Sequence, residues 1–203
     1  MDTIKYRGFN IEISHSEDPI PPNECEDNIN FLVYDHRSFY VKVEGFDPAE
    51  IFESTKERQK LFYNGHFVFP VFAYIHSGVS LSLSDNFPDS RWDVSMKGFV
   101  LIEKTKGQYF RKKALKIAEA VIEEWNDYLS GNVYSFCVTS PFGDVIDSCS
   151  GWYGDYEKSG MLKEAKASIN QEIHSKVKRH IKYLKKIIKS KVPLIYRKPL
   201  ILY

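Results

Sequence analysis

Cysteine is scarce in this sequence, and signals for export or membrane insertion are missing. Among the 203 residues are three cysteines, Cys25, Cys137 and Cys149. An odd number without Cys-x-x-Cys spacing argues against a disulfide framework and against a zinc ribbon. The opening MDTIKYRGFNIEI alternates polar and apolar residues, unlike a signal peptide. No apolar run approaches the roughly 20 residues that span a bilayer. We therefore expect a protein of a reducing compartment, the cytoplasm, with no membrane segment.

Sequence motifs for metal, cofactor and nucleotide binding are also missing. The chain has no G-x-S-x-G, P-loop, G-x-G-x-x-G or kinase signature, and no His-x-x-x-His or His-Glu-x-x-His spacing. We expect neither a metal nor a cofactor. An acidic loop offers five carboxylates without the ligand order of an EF-hand, and a solvated loop is favoured over a cation site. These residues are Glu17, Asp18, Glu24, Glu26 and Asp27.

The net charge of +1 hides a separation of charge along the chain. Residues 1–157 carry a net charge of −10, whereas residues 158–203 carry +11. Hydrophobic residues make up 43% of the chain and aromatic residues 15%, which is enough to build a core and excludes a disordered or collagen-like protein. The sequence thus predicts an acidic body followed by a basic C-terminal region.

Strand patterns dominate the acidic body. Residues 4–14 form a predicted hairpin around Gly8, and residues 66–84 are rich in β-branched and aromatic side chains. Pro70 confines the first half of that run to a strand start or a sheet edge. Residues 98–103 suit a further strand, and residues 133–154 suit a terminal hairpin that turns at Pro141-Phe142-Gly143.

Helix signals are fewer but clear. Asp47 and Pro48 are a good N-cap and first helical residue, and residues 110–129 form an amphipathic helix that Gly131 or Asn132 ends. Apolar residues recur every three or four positions across residues 161–190, and Pro193 stops that helix. We predict one α+β domain over residues 1–203, in which a mostly antiparallel sheet carries two or three helices and a long basic C-terminal helix.

The C-terminal helix carries the strongest physical signal for binding. Its apolar positions Ile173, Val177, Ile181, Leu184 and Ile188 are expected to face the body, so that the cations point outward. Such a helix can bind a phosphate backbone, an acidic protein surface or the acidic body of a second copy, or it can simply be solvated. Membrane binding is disfavoured if the apolar stripe belongs to the core. The cations are Lys176, Lys178, Arg179, Lys182, Lys185, Lys186 and Lys189.

An enzymatic alternative rests on Cys149. With His76 and Asp93 it would form a Cys-His-Asp arrangement in which the imidazole generates the thiolate, and Asp147 lies close by in sequence. Burial of the thiol as a small hydrophobic group is the favoured interpretation.

Two tryptophans, Trp92 and Trp152, are a second candidate contact surface, because Trp often anchors interfaces. Core packing is at least as good an interpretation of both side chains.

Several blocks of this sequence, in this order, resemble a family of proteins from bacteriophages and integrative mobile elements. They are SEDPIPPNECEDNINFLVYDHR, HSGVSLSLSDNFPDSRWD, GFVLIEK, EEWNDYLSGNVYSF, DSCSGWYGD and KSKVPLIYRKPL. The chain departs from the family pattern in residues 89–94, which read DSRWDV instead of Cys-Pro-Trp-Asp-Ser-Gly, and in Ser150, where the family has an aromatic residue. The first departure argues against a metal or thiol site there.

The resemblance implies a biological setting more than it implies a particular chemical activity. Small accessory proteins of phages frequently act by binding, and many block host defence. We therefore expect an inhibitor of a host nucleic-acid-processing complex, such as a CRISPR effector or a restriction system, in the host cytoplasm. The partner would be a defence protein or a ribonucleoprotein. Alternatives are direct nucleic-acid binding through the basic helix, the hydrolase built on Cys149, and a homodimer.

Overall fold

We describe the protein from a computed structural model that covers residues 1–25, 29–76, 78–87, 94–104 and 110–190, without the side chains of residues 62, 63 and 190. The predicted class is confirmed: antiparallel strands combine with helices, and a long helix lies near the C-terminus. The strands form two sheets rather than one. The chain accordingly divides into two compact units, one made of residues 1–17 with residues from 134 onward and one made of residues 18–133.

The first unit joins the two ends of the sequence in one four-stranded sheet. Its strands β1 (Asp2–Tyr6), β2 (Phe9–His15), β8 (Val133–Thr139) and β9 (Val145–Tyr153) lie in the order β1-β2-β8-β9. Both predicted hairpins are confirmed, and the turn between β1 and β2 places Arg7 and Gly8 at positive φ. Antiparallel pairing of β2 with β8 sets Ile11 opposite Val138. The long helix α4 (Met161–Ser190) follows β9.

The core of the first unit lies between this sheet and the start of α4. Apolar side chains at alternate positions of β2 and β8 point to one face, as the two-residue period of a strand requires. They meet the first two turns of α4, and the fully buried set comprises Phe9, Ile11, Ile13, Phe136, Val138, Met161, Ala165 and Ile169.

The second unit contains a five-stranded sheet with helices on both faces. Its strands are β3 (Phe31–His36), β4 (Phe39–Val41), β5 (His66–Ile75), β6 (Val79–Ser82) and β7 (Val94–Glu103), in the order β4-β3-β7-β5-β6. Helix α3 (Arg111–Ser130) covers one face, and the short helices α1 (Pro48–Glu53) and α2 (Thr55–Tyr63) cover part of the other. A 3-10 turn spans Pro22–Glu24.

The helix ends of this unit follow the sequence signals. Asp47 accepts a hydrogen bond from the backbone N–H of Ala49 at 2.8 Å, with Pro48 in the first turn. Gly131 ends α3 in the left-handed region at φ 76°. Pro70 lies where predicted, since β6 pairs only with Phe72–Ile75 and leaves the start of β5 as a sheet edge.

In the second unit, two asparagine side chains form hydrogen bonds to strand backbones that a neighbouring strand would otherwise form. The Asn126 amide donates to the carbonyl of Leu81 at 2.9 Å and accepts from the N–H of Leu81 at 2.7 Å, on the edge strand β6. Asn23 makes the same pair of bonds to Leu32, at 2.7 and 3.1 Å, where β4 does not reach. Each amide satisfies two backbone groups that would otherwise lack a partner.

Candidate functional site

The first half of α4 is anchored to the sheet of the first unit. Met161, Ala165 and Ile169 have no exposed surface. Polar contacts support this packing: the Tyr6 hydroxyl donates to the amide oxygen of Asn170 at 3.3 Å, and the Ser168 hydroxyl donates to the carboxylate of Asp147. This end of the helix therefore serves as its base.

Four of the five apolar positions that were predicted to face the body are exposed in the second half of α4, and the sequence prediction was wrong for these four. Val177, Ile181 and Leu184 keep 40%, 46% and 40% of their surface exposed, and Ile188 keeps 65%. Ile187, in the last turn, is by contrast buried with 9% of its surface exposed, and Tyr183 is half-buried. The exposed stripe therefore lies on a different side of the helix from the residues that the helix buries.

The cause lies in the helical repeat itself. Residues four apart on an α-helix are offset by about 40° around its axis. The stripe that runs in steps of four from Met161 to Val177 thus turns by about 160°, away from the side that Met161 buries. This rotation is visible in a helical-wheel projection of the sequence, but a count of apolar spacings of three and four does not show it.

The seven predicted cations divide into two groups. Glu172 pairs with Lys176 at 3.6 Å and with Arg179 at 3.4 Å, and the ammonium of Lys176 lies 5.9 Å from the ring centre of Phe9. Lys176 therefore makes contacts within the protein. The other five form no ion pair with any residue that the structure describes: Lys178, Lys182, Lys185, Lys186 and Lys189.

Charge and apolar surface occupy separate sides of this segment. At about 100° per residue, Lys178, Lys182, Lys185 and Lys189 fall within a sector about 60° wide. Val177, Ile181, Leu184 and Ile188 fall within another sector of the same width, centred about 100° away. From Ile173 to Lys189 the helix carries no acidic residue. We call residues 176–189 the basic amphipathic segment, and its chemistry suits an anionic surface with apolar parts.

The enzymatic alternative finds little support in the geometry around Cys149. Its thiol is exposed rather than buried and lies 3.6 Å from the carbonyl oxygen of Ser150. An open groove of about 340 Å³ includes Cys149 and Cys137 together with serine side chains and Glu12, and none of its described lining residues is a histidine. Asp147 is held by Ser168 of α4.

The remaining members of that alternative lie in the other unit or outside the described residues. His76 belongs to the second unit, where its ring lies 6.3 Å from that of Tyr74. Asp93 lies outside the described residues. The Cys-His-Asp arrangement therefore stays a prediction.

The second candidate surface consisted of two tryptophans, and the structure describes only one of them. Trp152 packs in the core of the first unit, with its ring centre 6.5 Å from that of Phe136, and its buried indole N–H has no hydrogen-bond partner within the described part of the chain. Core packing thus describes this tryptophan. Trp92 lies outside the described residues.

The acidic loop is described only in part, since Glu26 and Asp27 lie outside the described residues. Over the described ranges, no three His, Cys, Asp or Glu side chains cluster in a way that could hold a metal ion. No helix in those ranges combines the length and the apolar character needed to cross a membrane.

Comparison with protein-family models, with curated proteins and with solved structures finds no match to this chain. The site and the function are therefore argued from the geometry and from the sequence resemblance.

Proposed function

We propose that the protein is a phage or mobile-element accessory protein that acts by binding. Its basic amphipathic segment would dock on a host nucleic-acid-processing defence complex, such as a CRISPR effector or a restriction enzyme, in the host cytoplasm. The observation that carries the proposal is that one helix combines an exposed apolar sector with lysines that form no ion pair with a described residue.

The apolar sector favours a protein component over bare nucleic acid as the partner. A phosphate backbone would attract the lysines but would leave Val177, Ile181 and Leu184 in water. A groove with an apolar floor and acidic rims buries the apolar sector and neutralises the charge at the same time, as in other helix-in-groove complexes.

The rigidity of the helix that carries the segment supports the same proposal. The segment continues a helix whose first half is buried at Met161, Ala165 and Ile169. A preformed helix loses less conformational entropy on docking than a flexible tail of the same composition would lose.

The proposal is tested by the efficiency of phage plating on strains that each carry one restriction system or one CRISPR effector and express the full chain. We expect the wild-type protein to restore plating against at least one system. Two variants are expected to lose at least ten-fold of that effect: K178E/K182E/K185E/K189E, and I181S/L184S/I188S. A charge-matched control, K5E/K56E/K158E/K163E, changes exposed lysines elsewhere and is expected to retain it.

Failure of the wild-type chain against every system in the panel would contradict the proposal, as would full activity of both segment variants. The five unpaired lysines also favour a second candidate, direct nucleic-acid binding. Mobility shifts with a 30-base-pair DNA and a 30-nucleotide RNA at two salt concentrations separate the two. Binding that the lysine variant loses and the apolar variant keeps would favour the second candidate.

A further inference from the structure

A cleft in the second unit has no residue of the basic amphipathic segment in its described lining. It forms where α2 leaves part of the sheet uncovered, and its volume is about 570 Å³, within the range of small-molecule sites. Its lining combines an apolar floor with a polar rim, and consists of Thr55, Arg58, Gln59, Val68, Pro70, Met96, Phe99 and Arg111.

A β-bulge builds the floor. Val71 of β5 pairs with Gly98, but the next residue, Phe72, pairs with Met96, so that Lys97 is an extra residue on β7. In a regular strand, Met96 and Phe99 would point to opposite faces. The bulge turns Met96 to the face of Phe99, and both line the cleft. Met96 is 38% exposed there.

The rim carries positive charge that no described carboxylate neutralises. Arg58 donates to the carbonyl oxygens of Ile51 at 3.1 Å and Phe52 at 2.6 Å, and to the Thr55 hydroxyl at 3.2 Å. These bonds fix the position of the guanidinium without compensating its charge. Within the described residues, Arg58 forms no ion pair with a carboxylate, and no acidic side chain lines the cleft.

Arg111 supplies the second guanidinium, from the first turn of α3. It lies over the ring of Phe69, 5.1 Å from the ring centre, at the free edge of β5 beside Pro70. The start of α3 has no side-chain N-cap, so the partial positive charge of the helix end adds to that of Arg111. Within the described residues, Arg111 also lacks a carboxylate partner.

We propose that this cleft binds a small amphipathic anion: a molecule with a flat aromatic body and one phosphate, carboxylate or sulfonate group. The ring system lies on Val68, Pro70, Met96 and Phe99, where it covers the exposed part of Met96. The anionic group lies at the guanidinium rim, and Arg suits it because its planar fork matches such oxygens. Gln59 and Thr55 offer further hydrogen bonds.

The test uses 8-anilinonaphthalene-1-sulfonate as the probe, with the full chain and fluorescence titration. Its uncharged analogue, N-phenyl-1-naphthylamine, has the same rings without the sulfonate. We expect saturable binding of the sulfonate at one site, and at least ten-fold weaker binding of the analogue. Competition with adenosine monophosphate and with 2-naphthoate shows whether the cleft prefers phosphate or carboxylate.

Variants assign the probe to the cleft. Arg111→Gln is expected to weaken sulfonate binding about ten-fold, because it removes an exposed guanidinium from the rim. Lys113→Gln lies in the same helical turn but outside the lining, and it is the matched control. Met96→Gln removes part of the floor and is expected to weaken the charged and the uncharged probe alike. The variant I181S/L184S/I188S is expected to bind as the wild type does, which excludes probe binding on α4.

Equal affinity of the wild type for the charged and uncharged probes would overturn the proposal. So would unchanged sulfonate binding by both Arg111→Gln and Met96→Gln. Neither outcome contradicts the proposed function, which depends on residues 176–189.

Discussion

The aromatic ring of Tyr34 lies against the α-carbon of Gly98 on the neighbouring strand. The two residues are partners in the β3–β7 register, and the Tyr34 hydroxyl donates to the carbonyl oxygen of Ser95 at 2.5 Å. A β-carbon on Gly98 would lie 2.2 Å from Cδ2 of Tyr34 and 2.4 Å from the carbonyl oxygen of Val33. Because Tyr34 is fully buried, its ring has no free space to move into, and only glycine fits at position 98.

Gly98→Ala is therefore expected to destabilise the second unit by about 3 kcal/mol or more, at the upper end of overpacking effects. Urea unfolding followed by circular dichroism measures the loss. Gly78→Ala is the control, because a β-carbon there meets no atom within 4 Å. Equal stability of the two variants would show that the Tyr34 ring is not confined as described.

Asn126→Ala is expected to cost about 2 kcal/mol, because it leaves both backbone groups of Leu81, itself a buried residue, without their partners. The same urea unfolding measurement tests it. Glu123→Ala changes an exposed residue of the same helix and is expected to have little effect. If Asn126→Ala unfolds at the same urea concentration as the wild type, water replaces the hydrogen bonds of the amide at no cost in stability. The interpretation that Asn126 acts as a neighbouring strand would act is then wrong.

His66 is expected to make the second unit less stable in mild acid. Burial lowers the pKa of His66, the Lys104 charge lowers it further and the Glu103 charge opposes both. Its Nδ1 is buried with no hydrogen-bond partner in the described part of the chain, and its ring lies 5.6 Å from that of Phe46. The unfolded chain binds a proton near pH 6.5, whereas the folded protein resists protonation until the pH is lower. Stability is thus greatest above pH 6.5 and falls as the pH drops below it.

Urea unfolding at pH 7.5 and pH 5.0 measures this dependence. His66→Gln should show a smaller loss between the two pH values than the wild type. His174→Gln, at an exposed position of α4, should show the wild-type loss. An equal loss in all three proteins would place the acid sensitivity elsewhere.

Two isoleucines of α4 should respond very differently to truncation. Ile169→Ala removes a fully buried side chain and is expected to cost about 3 kcal/mol. Ile181→Ala removes one that is 46% exposed and is expected to cost less than about 1 kcal/mol. Thermal unfolding followed by circular dichroism compares them. Similar losses for the two variants would mean that the second half of α4 is covered in solution, which also removes the apolar sector from the proposed docking surface.

Local chemistry in the sequence determined the individual elements of this fold. Asp47 with Pro48 fixed a helix start, Gly131 a helix end, and the residues around Gly8 and Gly143 the two hairpin turns. Pro70 placed the start of β5 at a sheet edge. Each signal acts within a few residues, so it survives whatever the rest of the chain does.

Tertiary structure alone decided what the elements do together. Pairing of β2 with β8 joins strands more than a hundred residues apart, and no local pattern specifies which strand is the partner. Seven cations lie in residues 176–189, but only the packing of α4 shows that Val177, Ile181 and Leu184 stay exposed beside them. Arg58 of α2 and Arg111 of α3 line one cleft although 53 residues separate them in sequence, and a bulge turns Met96 into its floor. Sequence thus determined which groups are present and in which local conformation, and long-range packing decided which of them meet.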